Sequence, residues 1–329
     1  MQISRRHFLA MIGVTGASAV ACDNFTDGQP AAGGSGGEAG ATGGGGDGGG
    51  GGPAIPGGWL EPTGVTNKIV WIQGSACAGC SVSFLNRLTE EAPETVEDVL
   101  LEVVVLGYHP TLMAASGELA AQAAEAIYQE GAFLLVVEGG VPTAFDGAAC
   151  HAWTLGGEEM SFADLVTRYA ERAAAVMCVG TCASFGGVAA ADPNPAAVQS
   201  VPEFTGLTTL NVSGCPPHPD WIAWAIGQLL DQQRIRIDAD GRPFDLFSER
   251  MHDRCERLLN EQTHALGVDH LCHLRFGCRG LVTFAPCARF PWNNGANWCV
   301  DANAPCVGCA DPDFPNRGLY ESLTNTPGH

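Results

Sequence analysis

The chain has 329 residues, of which 46% are hydrophobic, so it is long enough to bury the core of one or two domains. Its 36 acidic residues against 16 basic ones give a formal net charge of −20, which excludes a role that depends on attracting nucleic-acid phosphates. The length also excludes a small disulfide scaffold, and the partners to expect are proteins or small molecules.

The first 22 residues have the features of an export signal. Arg5 and Arg6 form a twin-arginine pair, and they precede an apolar run that is too short to span a bilayer. Two cleavage sites fit the small residues that follow. The tripeptide at 19–21 suits an ordinary peptidase, whereas Cys22 suits a lipoprotein peptidase that attaches lipid. The sequence therefore predicts export by the twin-arginine route.

A glycine-rich segment follows the signal and is predicted to be a flexible linker over residues 23–66. It includes the run GGGGDGGGGG, which cannot bury enough apolar surface to fold. A tether implies something to be tethered to, so the linker favours a lipid anchor at Cys22. No later stretch has the roughly eighteen apolar residues of a transmembrane helix, so attachment to a membrane is expected only through this end.

Residues 67–241 alternate short apolar runs with helical stretches. The runs are KIVWI, VLLEVVVLG, FLLVVEG, AAVMCVG and TTLNVS, and the clearest helices are GELAAQAAEAIYQEG and SFADLVTRYAERA. Such alternation predicts βαβ units that form an open parallel sheet with helices on both faces. Ligands of such sheets bind beyond the carboxyl ends of the strands.

Cysteines follow three of the predicted strands and are expected to converge on this edge of the sheet. They are Cys77, Cys80, Cys182 and Cys215. Exported proteins normally oxidise cysteines to disulfides, but twin-arginine export is used for proteins that fold around a cofactor in the reducing cytoplasm. Metal ligation is therefore the predicted role. Neighbouring glycines would let backbone amides approach the sulfurs: Gly79, Gly180, Gly186, Gly187 and Gly214.

Residues 242–329 form a predicted loop-rich region with no hydrophobic pattern that could build an ordinary core. Its cysteines are Cys255, Cys272, Cys278, Cys287, Cys299, Cys306 and Cys309. A metal is expected to take the place of the missing packing. His252 lies one helical turn before Cys255, which makes it a candidate ligand. His270 and His273 flank Cys272, and the chemistry of either ring would serve as well.

Sets of four thiolates suit iron–sulfur clusters, and they also suit structural zinc. Zinc ribbons usually bring two C-x-x-C pairs, whereas in the first set one such pair is joined by two distant cysteines. An exported, zinc-stabilised binding module without a redox role is the alternative of a different class.

Six segments point to a known family: CAGCSVSFLN, GTCASFGG, GCPPHPDW, HDRCER, FGCRG and NWCVDANAPCVGC, in this order. Over about residues 68–314 the chain closely resembles the small, electron-transferring subunit of periplasmic nickel–iron hydrogenases. The resemblance implies a flavodoxin-like open parallel sheet followed by a loop-rich iron–sulfur domain with three clusters. The implied ligands are Cys77, Cys80, Cys182 and Cys215 for a proximal 4Fe–4S cluster, Cys287, Cys299, Cys306 and Cys309 for a medial cluster, and His252, Cys255, Cys272 and Cys278 for a distal 4Fe–4S cluster.

Cys299 is the most informative position in this comparison. Many periplasmic members have proline there and hold a 3Fe–4S medial cluster, so the cysteine indicates a complete 4Fe–4S cluster, as in nickel–iron–selenium relatives. Those relatives also share the CSVS sequence. Gly79 stands where oxygen-tolerant members have an extra cysteine, so their modified proximal cluster is not expected. The C-terminal membrane helix common in those members is not expected either.

The implied activity is electron transfer. Hydrogen is oxidised at a nickel–iron centre in a separate large subunit, and the three clusters pass the electrons to an external acceptor such as a cytochrome on the periplasmic side of the membrane. A quinone-reductase subunit of the same ancestry would hold one cluster, and the C-terminal cysteines and the export signal argue against it. No role is assigned to Cys150 or Cys178, and Glu138 is left open between proton movement and a solvated or capping role.

Overall fold

The computed structural model describes residues 56–90, 93–265, 268 and 270–315. The predicted export signal, Cys22 and the glycine runs of the predicted linker lie outside the described residues. In chain order the strands are β1 Pro56–Leu60, β2 Lys68–Gln73, β3 Val105–Tyr108, β4 Leu134–Glu138, β5 Val141–Pro142, β6 His151–Leu155, β7 Glu158–Ser161, β8 Ala175–Val179, β9 Val198–Gln199, β10 Leu210–Val212 and β11 Ile235–Asp238.

Three helices in the described part of the chain have nine or more residues, and the others are short. In chain order they are α1 Gly79–Leu85, α2 Val96–Asp98, α3 Glu118–Glu130, α4 Phe162–Ala170, α5 Thr181–Phe185, α6 Val201–Thr205, α7 Pro219–Leu230, α8 Phe244–Phe247 and α9 Trp292–Gly295. A π-helical turn, Val99–Val103, continues α2, and 3₁₀ turns cover Gly187–Ala190, Met251–Arg254, Leu274–Phe276 and Arg279–Leu281. In the described part of the chain, no helix is long and apolar enough to cross a membrane.

A five-stranded parallel sheet forms the body, in the order β3-β2-β4-β8-β10. This is the flavodoxin-like order, in which the chain reverses direction across the sheet between the first and third strands. The predicted fold class is therefore confirmed. The reversal lies between β2 and β4, whose pairing runs from Ile69 opposite Leu134 to Gln73 opposite Glu138.

The two faces of this sheet explain why its strands read as continuous apolar runs. Ile69 and Trp71 pack with α7 on one face, whereas Val70 and Ile72 pack with α3 and α4 on the other. Because successive side chains of a strand point to opposite faces, a strand covered on both sides has few positions for a polar side chain that lacks a hydrogen-bond partner.

Two sequence expectations need correction. The run VLLEVVVLG is not one strand: Thr95 and Asp98 form a capping box that starts a helix, the helix continues to Val103, and only Val105–Tyr108 is extended. The linker predicted over 23–66 is ordered at its end, since β1 pairs antiparallel with β11. Trp59 stacks there against Arg234, with 4.2 Å between guanidinium carbon and ring centroid.

The C-terminal region packs onto the carboxyl edge of the sheet. Thr181 donates to the Cys309 carbonyl at 2.5 Å, and Ser213 donates to the Ala310 carbonyl at 2.9 Å. The C-terminal region has a small hydrophobic core of its own, whose buried members are Met251, Cys278, Trp298 and Val300. The prediction that this region is loop-rich agrees with its short 3₁₀ turns.

Candidate functional site

The first four cysteines lie on short elements that follow parallel strands. Cys77 and Cys80 stand at the beginning of α1, beyond β2. Cys182 lies in α5, directly after β8, and Cys215 follows β10. Cys77 and Cys215 are exposed, whereas the other two are half-buried. The carboxyl edge of the sheet thus brings the four predicted residues of the first set together.

Burial and mutual repulsion hold protons on these thiols. Burial raises the pKa of Cys80 well above its ordinary value, and the charges of Glu138, Cys182, Cys215 and Cys77 raise it further. Burial, followed by the charges of Cys182 and Cys77, raises the pKa of Cys215 to about 11. Thiols in such surroundings deprotonate readily only when a metal cation replaces the protons.

Glycine is required where the backbone approaches a sulfur. A side chain at Gly180, which has a φ of +87°, would place its Cβ 2.4 Å from Cys80 Sγ. One at Gly187 would lie 3.1 Å from Cys182 Sγ. A Cβ at Gly214 would instead meet Pro217, and one at Gly186 would meet Ala190. The close approach to a sulfur therefore accounts for glycine at Gly180 and Gly187.

Glu138 ends β4 beside this first set and is only 1% exposed. Its Oε1 accepts hydrogen bonds from the backbone N–H groups of Cys80 (3.1 Å) and Ser81 (3.3 Å). Its Oε2 accepts from Trp71 Nε1 (3.0 Å), Gln73 Nε2 (2.9 Å) and Ser81 Oγ (2.5 Å). The carboxylate is therefore not solvated, and it anchors the beginning of the helix that carries Cys80.

His109 extends this hydrogen-bond network, and no sequence pattern indicated its role. The Thr111 backbone N–H donates to its Nδ1 at 3.2 Å, so Nε2 carries the proton and donates to Ser81 Oγ at 3.1 Å. Burial lowers the pKa of His109 to about 4, which keeps the ring neutral at physiological pH. The ring therefore adds no positive charge to the network.

A second set of thiols adjoins the first. Burial, followed by the charges of Cys309 and Cys299, raises the pKa of Cys287 above its ordinary range. Burial raises the pKa of Cys309 to about 12, although a hydrogen bond from the backbone of Cys215 opposes that rise. The pKa of Cys306 is similarly raised by burial first and then by neighbouring thiols. Cys299 is exposed, yet its charge raises the pKa of two members of this set, Cys287 and Cys309.

A third set lies beyond the second. Burial is the main cause of the raised pKa of Cys255, and the charges of Cys278 and Cys272 add to it. The backbone N–H of Cys306 donates to Cys278 Sγ at 3.4 Å, which joins this set to the second one.

The three candidate histidines occupy different surroundings. A Cβ at Gly280 would lie 3.5 Å from the Cβ of His252, which places His252 beside the turn that follows Cys278. His270 is exposed. His273 is 3% exposed, and neither ring nitrogen has a hydrogen-bond partner among the described residues.

The donor chemistry of the three sets fits iron–sulfur clusters. Each set consists mainly of soft thiols, and backbone N–H groups point at sulfurs, as from Gly79 to Cys77 and from Gly308 to Cys306, both at 3.4 Å. In the described segments, no group of three or more His, Cys, Asp or Glu side chains has the arrangement of a single-ion site. Cys178 lies in the core on β8, where burial raises its pKa to about 12.

Fold and site together define a class of oxidoreductase subunits, and family models agree. The model described as "NADH ubiquinone oxidoreductase, 20 Kd subunit" matches residues 77–229. The model for the C-terminal part of the NiFe/NiFeSe hydrogenase small subunit matches residues 247–320. The first covers the flavodoxin-like part with the first thiol set, and the second covers the C-terminal cysteines.

Two similar proteins show to which family this chain belongs. The small subunit of the periplasmic [NiFeSe] hydrogenase of Desulfomicrobium baculatum is 37% identical over 270 residues, which cover 75% of this chain and 84% of that protein. The periplasmic [NiFe] hydrogenase small subunit of Solidesulfovibrio fructosivorans is 33% identical over 258 residues, which cover 75% and 78%. The chain belongs to the family of NiFe and NiFeSe hydrogenase small subunits.

Solved structures agree with this assignment. A chain of the [NiFeSe] hydrogenase from Desulfovibrio vulgaris Hildenborough superimposes with a TM-score of 0.71 at 34% identity, covering 79% of this chain and 99% of that one. A chain of the Desulfomicrobium baculatum enzyme gives a TM-score of 0.72 at 35% identity, with coverages of 78% and 99%.

Proposed function

We propose that this chain is the electron-relay subunit of a nickel–iron hydrogenase, which carries electrons from hydrogen oxidation in a large subunit through three clusters to an external acceptor. One observation carries the proposal: the thiols lie in three adjoining sets. The proposed ligands are Cys77, Cys80, Cys182 and Cys215 for the proximal 4Fe–4S cluster, Cys287, Cys299, Cys306 and Cys309 for the medial cluster, and His252, Cys255, Cys272 and Cys278 for the distal 4Fe–4S cluster.

Contacts between the sets support the proposed order of the relay. The hydrogen bond from the Cys215 backbone to Cys309 joins the first set to the second, and the bond from Cys306 N to Cys278 Sγ joins the second to the third. When bound, the clusters supply one-electron redox chemistry. The polypeptide supplies ligands, spacing, burial and N–H donors to sulfur. His252 as a neutral ligand leaves the distal set with one negative charge fewer than an all-cysteine set.

The partner and location follow from the relatives. Small subunits in this family work with a large subunit, and the first relatives are named periplasmic. The proximal thiols reach the surface at Cys77 and Cys215, which is where the large subunit would have to dock to deliver electrons. A cytochrome at the distal end is the proposed acceptor.

Metal and sulfide analysis of the purified complex tests this function. Three clusters of the 4Fe–4S type correspond to about twelve iron ions and about twelve sulfide ions on this chain. The complex should be brown, with broad visible absorption. A colourless protein that contains zinc and no sulfide would establish the zinc-stabilised module instead. One cluster alone would indicate the quinone-reductase type of subunit.

Export and anchoring are proposed from the sequence alone. Replacing Arg5 and Arg6 together by lysine should leave the protein in the cytoplasm, because the transport system reads the arginine pair. Cys22→Ser should release the exported protein from membranes. Cell fractionation measures both effects. A mature protein that mass spectrometry finds to begin at an unmodified Cys22 would contradict the lipid anchor and leave export intact.

A further inference from the structure

A buried arginine lies beside the third thiol set without an acidic partner. Arg257 follows Cys255 by two residues and is 4% exposed. Its Nη1 donates to the Leu271 carbonyl at 3.3 Å and to Asn303 Oδ1 at 2.9 Å, and both acceptors are neutral. Its Nε is buried and has no hydrogen-bond partner. Among the residues described, no carboxylate lies within ion-pair distance of this guanidinium.

Other arginines buried to this degree have an acidic partner. Arg242 forms an ion pair with Asp238 at 2.8 Å, and Arg87 forms one with Asp220 at 3.2 Å. A buried cation is strongly unfavourable unless a negative charge lies close to it. Within the part of the chain that the structure describes, the negative charge that a buried Arg257 needs is therefore not that of a carboxylate.

The groups around Arg257 identify that negative charge. Its backbone N–H donates to Cys255 Sγ at 3.4 Å, and its positive charge acts on Cys278 and on the neighbouring His273. Of these groups only the two thiols can become negative, and they do so when they ligate a metal. His273 adds a second buried donor without a partner on the same loops. Unpaired donors and ligand thiols thus meet at one place.

We propose that Arg257 is the fixed counter-charge of the distal cluster, and that it raises the cluster's reduction potential by stabilising the reduced, more negative state. The inference rests on the proposed function, because the negative charge belongs to a cluster held by the third thiol set. Arg257 is a positioning and tuning residue, not a ligand. Its bond to Asn303 also fixes it to the loop between Cys299 and Cys306, at the boundary between the medial and distal sets.

The test is a redox titration of the purified two-subunit complex, followed by electron paramagnetic resonance. Arg257→Gln removes the charge and keeps a side chain that can donate to Asn303, so the distal potential should fall while the proximal and medial potentials change little. Arg257→Lys keeps the charge and should stay near the wild-type value. Arg254→Gln is the matched control: Arg254 adjoins Cys255 in sequence, but its side chain is 57% exposed, so solvent screens its charge.

Each outcome decides a separate question. If the wild-type complex lacks the three clusters, the proposed function fails and the inference fails with it. If the clusters are present and Arg257→Gln leaves the distal potential unchanged, or Arg254→Gln lowers it equally, only the inference fails. If Arg257→Gln loses the distal cluster, Arg257→Lys decides: a retained cluster with a near-normal potential supports the counter-charge, and loss or an equally lowered potential overturns it.

Discussion

Cys299 is the residue on which the type of the medial cluster depends. It lies on an exposed loop, but its charge acts on Cys287 and Cys309, so it stands close to the other thiols of the second set. Sequence resemblance indicates the position, because proline is common there in relatives with a three-iron cluster. The structure brings Cys299 to its expected neighbours, and ligation itself stays a prediction.

Cys299→Pro should convert the medial cluster from 4Fe–4S to 3Fe–4S. Proline offers no ligand, so the fourth iron would be held only by sulfide and would be lost easily. Electron paramagnetic resonance of the oxidised complex should show no 3Fe–4S signal in the wild type and about one spin per complex in the variant. Cys150→Ser is a control, since that half-buried thiol belongs to none of the three sets. A strong 3Fe–4S signal from anaerobically prepared wild-type protein would show that Cys299 is not a ligand.

Glu138→Gln should destabilise the carboxyl edge of the parallel sheet, where the first thiol set lies. Every atom that hydrogen-bonds to this carboxylate is a donor. An amide NH₂ group in place of either carboxylate oxygen would therefore face donors, and those donors would lose their acceptor. Loss of a buried, charge-assisted bond costs about 2 kcal/mol. With an unfolding entropy of about 2.1 cal/mol/K per residue, that is roughly 3 °C in the unfolding temperature of a chain of 329 residues.

Glu130→Gln is the matched control for that measurement. Glu130 ends α3 and pairs with Lys68, but its side chain is 56% exposed, and exposed ion pairs contribute little. Thermal unfolding of the purified complex should therefore separate the two variants. Equal unfolding temperatures for Glu138→Gln and wild type would show that the network is not stabilising.

At the scale of elements, the strands could be predicted wherever local pattern and tertiary burial agree. β4 and β8 are apolar runs because helices cover both faces of the sheet at those strands. The run VLLEVVVLG misleads because its apolar residues suit a strand or a buried helix equally. The capping box of Thr95 and Asp98 decides between them, and that signal begins upstream of the run.

The first thiol set could be predicted because each of its cysteines follows a strand, and parallel strands end at one edge. The division of the remaining cysteines into two further sets came only from the family resemblance. The partners of Glu138 were not predictable, since Trp71 and His109 reach its network only through the pairing of strands distant in sequence. Arg257 was not predictable for the same reason: its significance is the missing carboxylate, and only the packed structure shows which charges lack a partner.

For the whole molecule, the edge of the sheet that carries the proximal thiols is also rich in exposed apolar side chains. Val82, Leu85 and Leu88 lie on or just after α1, and Val188 follows α5; each has at least 41% of its surface exposed. Exposed apolar residues grouped around a functional site mark an interaction surface. The C-terminal region covers only part of this edge, since Cys77 and Cys215 stay exposed beside these apolar side chains, and the family's large subunit is the partner expected to cover the rest.

Val82→Asp should therefore disrupt assembly with the large subunit, because it would bury an unpaired carboxylate in an interface of roughly 2,000 Å² or more. Leu101→Asp is the control: Leu101 is 76% exposed, but it precedes β3 and so lies toward the opposite edge of the parallel sheet. Co-purification through a tag on the large subunit should recover this chain with Leu101→Asp at the wild-type level and with Val82→Asp at a strongly reduced level. Hydrogen uptake should fall in proportion to the complex recovered, since the relay delivers electrons only when the proximal set adjoins the large subunit. Unchanged recovery of the Val82→Asp chain would show that the large subunit binds another surface. A wild-type chain that purifies alone with all its clusters would show that the large subunit is not required.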